Sequence, residues 1–200
     1  MKQDKVLLTL ALLLATLSWA WDSNAQSAHP TAARDLQLSA FGGVSGVFTG
    51  LSGGKNFSLT AGGDLALPPW RSVRPSLEIR GTYPADRGLV AAQKSVEGGL
   101  RVDFLANHRI HPYGDFLFGR GQMNYRDGYI YGNEFYYLTT TYIDSAGLGF
   151  DYDVSDHLSL KVDAQVVRWG SAPTTSGRIY SSVGTLGIVY RFGFGSRIER

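Results

Sequence analysis

Most of the chain alternates between apolar and polar residues, which is the pattern of β-strands whose two faces meet different surroundings. The clearest segment covers residues 95–105, where one face has no charge and the other has three charges. Its apolar face consists of Val96, Gly98, Leu100, Val102 and Phe104. Eight such segments predict an all-β chain, with strands at 35–46, 57–67, 75–84, 95–105, 112–124, 140–154, 158–168 and 178–193.

The connections between these segments alternate in character. Those after the second, fourth and sixth segments are short turns (PPWRSVR, NHRIH and SDH), whereas the others are longer or rich in glycine and polar residues. Short turns at one end and longer loops at the other are typical of bacterial outer-membrane barrels. The pattern therefore predicts an eight-stranded antiparallel up-and-down transmembrane β-barrel over residues 35–194, with its short turns and both termini in the periplasm.

Alternation alone also fits a soluble secreted barrel of the lipocalin-like, lipid-binding kind, whose apolar faces point inward. Small residues on the polar faces, such as Ser58, Thr60 and Gly62, favour the membrane barrel, because an eight-stranded barrel has little interior space. Aromatic residues near the strand ends predict interfacial girdles. Those near the short turns are Trp70, Phe104, Tyr113, Tyr152, Tyr190 and Phe192. Those near the longer loops are Phe48, Tyr83, Tyr125, Tyr142, Trp169 and Tyr180.

The N-terminal 25 residues have the three-part pattern of a secretory signal peptide. A basic start precedes an apolar core at 6–17, and small residues permit cleavage after Ala20 or after Ala25. A transmembrane anchor is the alternative, but about twelve apolar residues span only about 18 Å of helix. The polar stretch at 26–34 is predicted to be a flexible leader.

The last predicted strand ends in aromatic residues on its apolar face, Tyr190 and Phe192, before a short polar tail at 195–200. This strand resembles the C-terminal signal by which outer-membrane proteins are recognised for assembly. From the signal peptide to Phe192 or Phe194, the chain resembles a small outer-membrane β-barrel domain of the OmpA/OmpX-like type. The resemblance implies a location in the cell outer membrane, contact with its lipid and lipopolysaccharide, and recognition by the β-barrel assembly machinery.

Composition narrows the range of functions further. The chain has no cysteine, which excludes a disulfide scaffold, a thiolate zinc site and a cysteine nucleophile. The net charge is only +2, and no basic run is long enough to form a nucleic-acid arm. We therefore expect no nucleic-acid partner, no cofactor and a monomeric protein.

The four histidines argue against an enzyme. A few outer-membrane barrels are lipid A deacylases or palmitoyltransferases with a histidine and a serine near the outer rim, where the histidine activates the hydroxyl. Here His29 lies in the leader, and His108, His111 and His157 lie in predicted periplasmic turns. We expect no catalytic or metal-binding residues, and we interpret His108 and His111 as solvated turn residues rather than a metal pair.

Charged residues on the polar faces of the strands are predicted to point into the lumen. They are Asp64, Glu78, Arg80, Glu97, Arg101, Asp103, Asp151, Lys161 and Asp163. Plausible strand registers place Glu78 opposite Arg101 and Asp151 opposite Lys161. Such pairs predict a plugged lumen, because eight strands leave an interior only wide enough for side chains. The alternative is a small ion-conducting pore that prefers cations, since acids outnumber bases in this set.

Two segments fit the alternation less well. Asp115 and Arg120 have opposite parity in the fifth segment, and a β-bulge near Gly119 or Gly121 would place both on one face. Asp144 shares the parity of the apolar residues of the sixth segment and is expected above the membrane band.

The connection between the fifth and sixth segments is rich in aromatic residues, namely Tyr125, Tyr129, Tyr131, Phe135, Tyr136 and Tyr137. Tyrosine is favoured in binding surfaces, so this stretch is a candidate surface-recognition loop. The alternative is a hairpin that extends the barrel wall. Several basic loop residues are candidates for contact with lipid phosphates, namely Lys55, Arg87, Lys94, Arg126 and Arg178. The sequence thus predicts a non-enzymatic integral outer-membrane protein with a structural or surface-interaction role.

Overall fold

Eight antiparallel strands form a closed barrel in chain order. The computed structural model describes residues 36–86, 88, 90–104, 109–170 and 174–192. The predicted signal peptide, leader and polar tail, together with Phe194, lie outside the described residues. The strands are β1 (Gln37–Phe48), β2 (Lys55–Ala66), β3 (Val73–Pro84), β4 (Ala91–Phe104), β5 (Ile110–Tyr131), β6 (Glu134–Asp153), β7 (Leu158–Gly170) and β8 (Arg178–Arg191). The predicted fold class is confirmed.

Pairing of the first and last strands closes the barrel, from Ser39 opposite Arg191 to Phe48 opposite Ser182. Closure leaves no strand edge unpaired, so backbone groups bond within the wall. The connections at 67–72, 105–109 and 154–157 define what we call the turn end, and the opposite end is the loop end. Within the described part of the chain, no helix is long and apolar enough to cross a membrane.

The apolar faces of the strands point outward. In β4, Val96 and Leu100 are 61% and 58% exposed, whereas the alternating Glu97 and Arg101 are 3% and 4% exposed. Large exposed apolar residues continue around the wall, including Leu59, Ile79, Phe118, Leu148, Val166 and Leu186. A lipocalin-like barrel requires the opposite orientation. An exposed apolar band of this extent is instead typical of a surface that meets lipid.

The fifth and sixth strands are longer than predicted. They continue through the aromatic stretch and are joined by only Gly132 and Asn133, with Gly132 at a positive φ of 64°. Pairing shifts between Asn124 and Tyr129, and this β-bulge interrupts the alternation that the sequence pattern relies on. The structure therefore shows the protruding hairpin, which we call the β5–β6 hairpin (residues 127–138).

The predicted bulge near Gly119 or Gly121 is wrong. Pairing of β4 with β5 is continuous from Ala91 opposite Tyr125 to Asp103 opposite Tyr113. Asp115 is buried in the lumen, while Arg120 points outward with its guanidinium 4.9 Å from the centroid of the Tyr142 ring. The two charges simply occupy opposite faces of a regular strand.

Three of the twelve predicted girdle residues are also misassigned. Tyr113, Tyr125 and Trp169 are buried inside the barrel. Each has the parity of the inward-facing residues of its strand, so its ring cannot reach the outer interface. The other nine are exposed, at both ends of the barrel.

Candidate functional site

Arg80 forms the centre of a buried ion cluster in the lumen. Its Nε donates to Glu78 Oε1 at 2.7 Å, and its Nη1 and Nη2 donate to the two carboxylate oxygens of Asp163 at 2.9 and 3.3 Å. The Tyr113 hydroxyl also donates to Asp163, at 2.9 Å. Asp115 lies 3.7 Å from Arg80 and accepts a hydrogen bond from Gln165 at 3.0 Å. β3 and β7 lie on opposite sides of the barrel, so the Arg80–Asp163 pair bridges the lumen.

Arg101 forms a second cluster nearer the turn end. Its Nη2 donates to Asp103 at 2.5 Å and to Asp151 at 2.6 Å, and its guanidinium lies 3.6 Å from the centroid of the Tyr113 ring. Asp64 lies 3.7 Å from Arg101 Nη1, and Glu78 lies 3.9 Å from the same atom. Glu78 thus contacts both arginines and links the two clusters into one lumen network.

The predicted pairings hold only in part. Glu78 lies opposite Gly99 rather than Arg101, so the predicted register is shifted by two residues, although the two side chains do approach diagonally. Asp151 does lie opposite Lys161, but it bonds Arg101 instead.

Lys161 and Glu97 lie apart from the ion pairs. The Lys161 ammonium lies 4.4 Å from the centroids of both the Phe41 and Tyr113 rings and has no hydrogen bond within the described residues. Two aromatic faces therefore take the place of a carboxylate partner for this buried cation. Glu97 accepts a hydrogen bond from the Ser145 hydroxyl at 2.5 Å.

Sequence reasoning missed several lumen residues. Asp115, Tyr113 and Phe41 all line the interior beside the predicted charges. Asp115 and Tyr113 share one parity of β5, and this signal was available in the sequence. The parity conflict with Arg120 obscured it.

The loop-end half of the lumen contains an apolar cluster beside buried uncharged polar side chains, among them Thr49, Asn56 and Gln93. Its cluster consists of Leu51, Ala91, Met123, Tyr125, Ile143, Val167, Trp169 and Ile179. The Trp169 indole donates to the Ser181 hydroxyl at 2.8 Å, and its ring occupies the space beside Gly121, where a Cβ would lie only 2.4 Å from the ring. The lumen therefore contains two layers in series, a charged one toward the turn end and an uncharged one toward the loop end, and we call the apolar cluster of the second the apolar layer.

The six aromatic residues of the predicted recognition loop divide into two groups. Tyr125 is buried in the apolar layer, and Tyr129 and Tyr136 pack against that layer from above. Tyr125 and Tyr129 stack with ring centroids 5.5 Å apart. The other three, Tyr131, Phe135 and Tyr137, are exposed.

A small cavity of about 190 Å³ opens at the turn end, lined by Asp64, Arg101, His111, Asp153 and Arg191 among others. His111 Nε2 lies 2.9 Å from Asp153, which Arg191 also contacts at 2.7 Å. Among the described residues, no group of three or more acidic or histidine side chains is arranged to hold a metal. His29 and His108 lie outside the described residues.

No protein-family model and no curated protein sequence matches the chain. Solved structures do resemble it. Neisserial surface protein A superposes with a TM-score of 0.51 at 15% identity, over 80% of this chain and 97% of that protein. Ail of Yersinia pestis, in complex with the heparin analogue sucrose octasulfate, gives 0.48 at 15% identity over 78% and 97%. The outer membrane enzyme PagL gives 0.43 at 15% identity over 79% and 99%.

At these identities the likeness concerns the fold. The TM-score to Neisserial surface protein A and the closed eight-stranded topology agree with each other. The chain has the fold of small outer-membrane β-barrels of the OmpA/OmpX-like type, and the predicted resemblance is confirmed at that level.

Proposed function

We propose that the chain is an integral outer-membrane barrel with a structural or surface-interaction role, and that its own side chains close the lumen. The outward apolar band supports the membrane assignment. Transfer of apolar surface from water into lipid is favourable by about 25 cal/mol per Å². The proposal includes a monomer, recognition of β8 by the assembly machinery, and no enzymatic activity.

The two layers of the lumen carry the closed-lumen proposal. A cation entering from the turn end would meet the acidic network, where acids outnumber bases. It would then have to pass the uncharged half around Met123, Trp169 and Gln93, where no buried carboxylate of the described residues replaces its water. Tyr129 and Tyr136 cover this layer at the loop end.

Conductance across a planar bilayer tests this proposal. We expect the wild-type protein to insert without producing a steady open current. The double variant Met123→Ala/Trp169→Ala removes much of the apolar layer and serves as the comparison for a widened lumen. A steady, cation-selective current from the wild type would support the small-pore alternative and overturn the closed-lumen proposal.

The β5–β6 hairpin favours surface recognition as a second role. On its outer face, Ile130, Phe135 and Tyr137 are 69%, 50% and 67% exposed. Phe135 and Tyr137 pack edge to face, with ring centroids 4.7 Å apart. A rigid apolar patch held on a two-stranded support has little conformational entropy to lose on binding a partner.

The absence of enzymatic activity rests on the positions of the histidines. His111 lies at the turn end in contact with Asp153, and His157 lies in the turn beside Tyr190. Neither is within reach of a hydroxyl at the loop end, where a barrel facing the outside would meet its lipid substrate. Hydrolysis of an acylated lipid by the purified protein would contradict this part of the proposal.

A further inference from the structure

The outward faces of the described strands are charged at one end only. Below the β5–β6 hairpin, every charged residue on the outward faces of the described strands lies toward the loop end. The basic ones are Lys55, Lys94, Arg120, Arg126, Arg168 and Arg178. The acidic one is Asp144, which is bound to Arg168 at 2.7 Å. Arg74 and Arg191, near the turn end, have the parity of inward residues. The loop end therefore presents a basic belt to its surroundings.

Three of these residues line one continuous surface on β3, β4 and β5. A cavity of about 470 Å³ is lined by Tyr83, Lys94, Gln122 and Arg126 among others. An adjoining cavity of about 390 Å³ shares Tyr83, Lys94 and Gln122 and adds Arg120. Lys94 lies opposite Gln122, so Arg120 is its diagonal neighbour on the same face. We call this surface the basic groove.

The charges of the basic groove are available for a ligand. Lys94 and Arg120 have no ion pair or side-chain hydrogen bond within the described part of the chain, although the Arg120 guanidinium lies over the Tyr142 ring at 4.9 Å. Arg168, by contrast, is paired with Asp144. Arg126 makes one long hydrogen bond, at 3.4 Å, to the carbonyl of Gly88.

Two acids lie beside the groove. Asp144 lines a concave surface with Arg120, but its carboxylate is bound to Arg168 at 2.7 Å. Asp86 lines the larger cavity, but its carboxylate already accepts hydrogen bonds from the backbone N–H groups of Phe57 and Gly88. Asp86 forms no ion pair with the basic side chains of the groove within the described residues.

The apolar band begins directly below these charges. Val96 and Phe118 follow Lys94 and Arg120 on the same face, and both are largely exposed. A ligand at this boundary must combine an anionic headgroup with acyl chains. Lys94 lies opposite Gln122, and Arg126 follows Gln122 by four residues on β5. At about 3.4 Å per residue, the levels of Lys94 and Arg126 are about 14 Å apart along the strand. Two separate anionic groups fit this spacing better than one.

We propose that the basic groove binds the diphosphorylated disaccharide headgroup of a lipid A-type glycolipid, with its acyl chains on the apolar band below. Lys94 and Arg120 contact one phosphate, and Arg126 contacts the other. This inference rests on the proposed function, because it requires the loop end to face the outer leaflet. It explains why the basic residues on the outward faces of the strands lie toward that end.

Native mass spectrometry of the detergent-extracted protein tests the proposal, with diphosphoryl lipid A, monophosphoryl lipid A and phosphatidylglycerol as separate probes. The test variant is Lys94→Gln/Arg120→Gln. The matched control is Arg71→Gln/Arg109→Gln, which removes the same charge from exposed residues at the turn end. We expect the test variant to bind diphosphoryl lipid A about tenfold more weakly than the wild type, and the control to match the wild type.

A loss of binding in the test variant alone would support the basic groove as a lipid A site. Equal losses in both variants, no loss in either, or equal binding of phosphatidylglycerol by the wild type would overturn the basic groove as a lipid A site. Single Lys94→Gln and Arg120→Gln variants, each expected to lose part of the affinity, serve if the double variant is not recovered.

A cold-versus-boiled SDS gel on the same samples separates the two proposals. If the mobility shift is present without lipid A selectivity, only the groove fails; if the shift is absent, the membrane-barrel proposal itself fails.

Discussion

Replacing Arg80 with methionine removes the cation that bridges the lumen while keeping an unbranched side chain of similar reach. Arg80 is 2% exposed, and the side chains of its two hydrogen-bonded partners, Glu78 and Asp163, are fully buried. The substitution removes three hydrogen bonds to charged groups, at 2.7, 2.9 and 3.3 Å, and leaves two carboxylates without their main partner.

The magnitude follows from the burial of this cluster. Hydrogen bonds to charged groups contribute about 1.5–3 kcal/mol each. The sum over the three bonds of Arg80 is an upper bound on the loss of unfolding free energy. Breaking a buried ion pair by removing one partner costs about 3–5 kcal/mol, because the remaining charge stays buried. We therefore expect Arg80→Met to lower the free energy of unfolding by about 3–5 kcal/mol.

Urea unfolding in lipid vesicles, followed by the circular dichroism of the strands, measures this loss. Arg168→Met is the matched control, because Arg168 and its partner Asp144 are 44% and 25% exposed, and an exposed ion pair contributes little to stability. In a double-mutant cycle, Arg80→Met combined with Asp163→Asn should cost less than the sum of the single losses. The reasoning is refuted if Arg80→Met is no more destabilising than Arg168→Met.

Substitutions in the apolar layer and in the β5–β6 hairpin have separate expected outcomes. Trp169→Ala should lower the free energy of unfolding by about 3–5 kcal/mol, because it empties the centre of the apolar layer; urea unfolding with wild-type stability would contradict this. Ile130→Ser/Phe135→Ser should abolish binding to cell surfaces without changing the unfolding midpoint, and unchanged binding would exclude the hairpin patch as the recognition surface. The hydroxyl of Tyr136 donates to Glu134 at 2.5 Å, which raises the pKa of Tyr136 above its usual value. Glu134→Gln should lower that pKa in an NMR titration with labelled tyrosine, and an unchanged pKa would show that the hydrogen bond is not formed in solution.

The alternation of the sequence predicted the strands and their outward faces well. A shift of one residue would move every apolar side chain of a strand to the opposite face, so the pattern specifies the faces strongly. Val96 and Leu100 lie outside and Glu97 and Arg101 inside, as the pattern indicates. The aromatic stretch also indicated a hairpin that extends the barrel wall, but its bounds and register were not predicted, since the bulge after Asn124 breaks the period of two.

The partners within the lumen were not predictable from local registers. Arg80 bonds Asp163 across the barrel, and this contact depends on the diameter and tilt of the closed sheet rather than on a neighbouring strand. Trp169 was assigned to an outer girdle on its position near a strand end. Its parity, shared with Val167, would have placed it inside.

Cold and boiled SDS gels of the detergent-extracted outer-membrane fraction test the central claim most directly. We expect to find the protein in this fraction and expect boiling to change its mobility, because a closed barrel with an outward apolar band resists SDS until it is heated. Recovery of the protein in the soluble periplasmic fraction, with the same mobility before and after boiling, would contradict the claim that the apolar faces meet lipid.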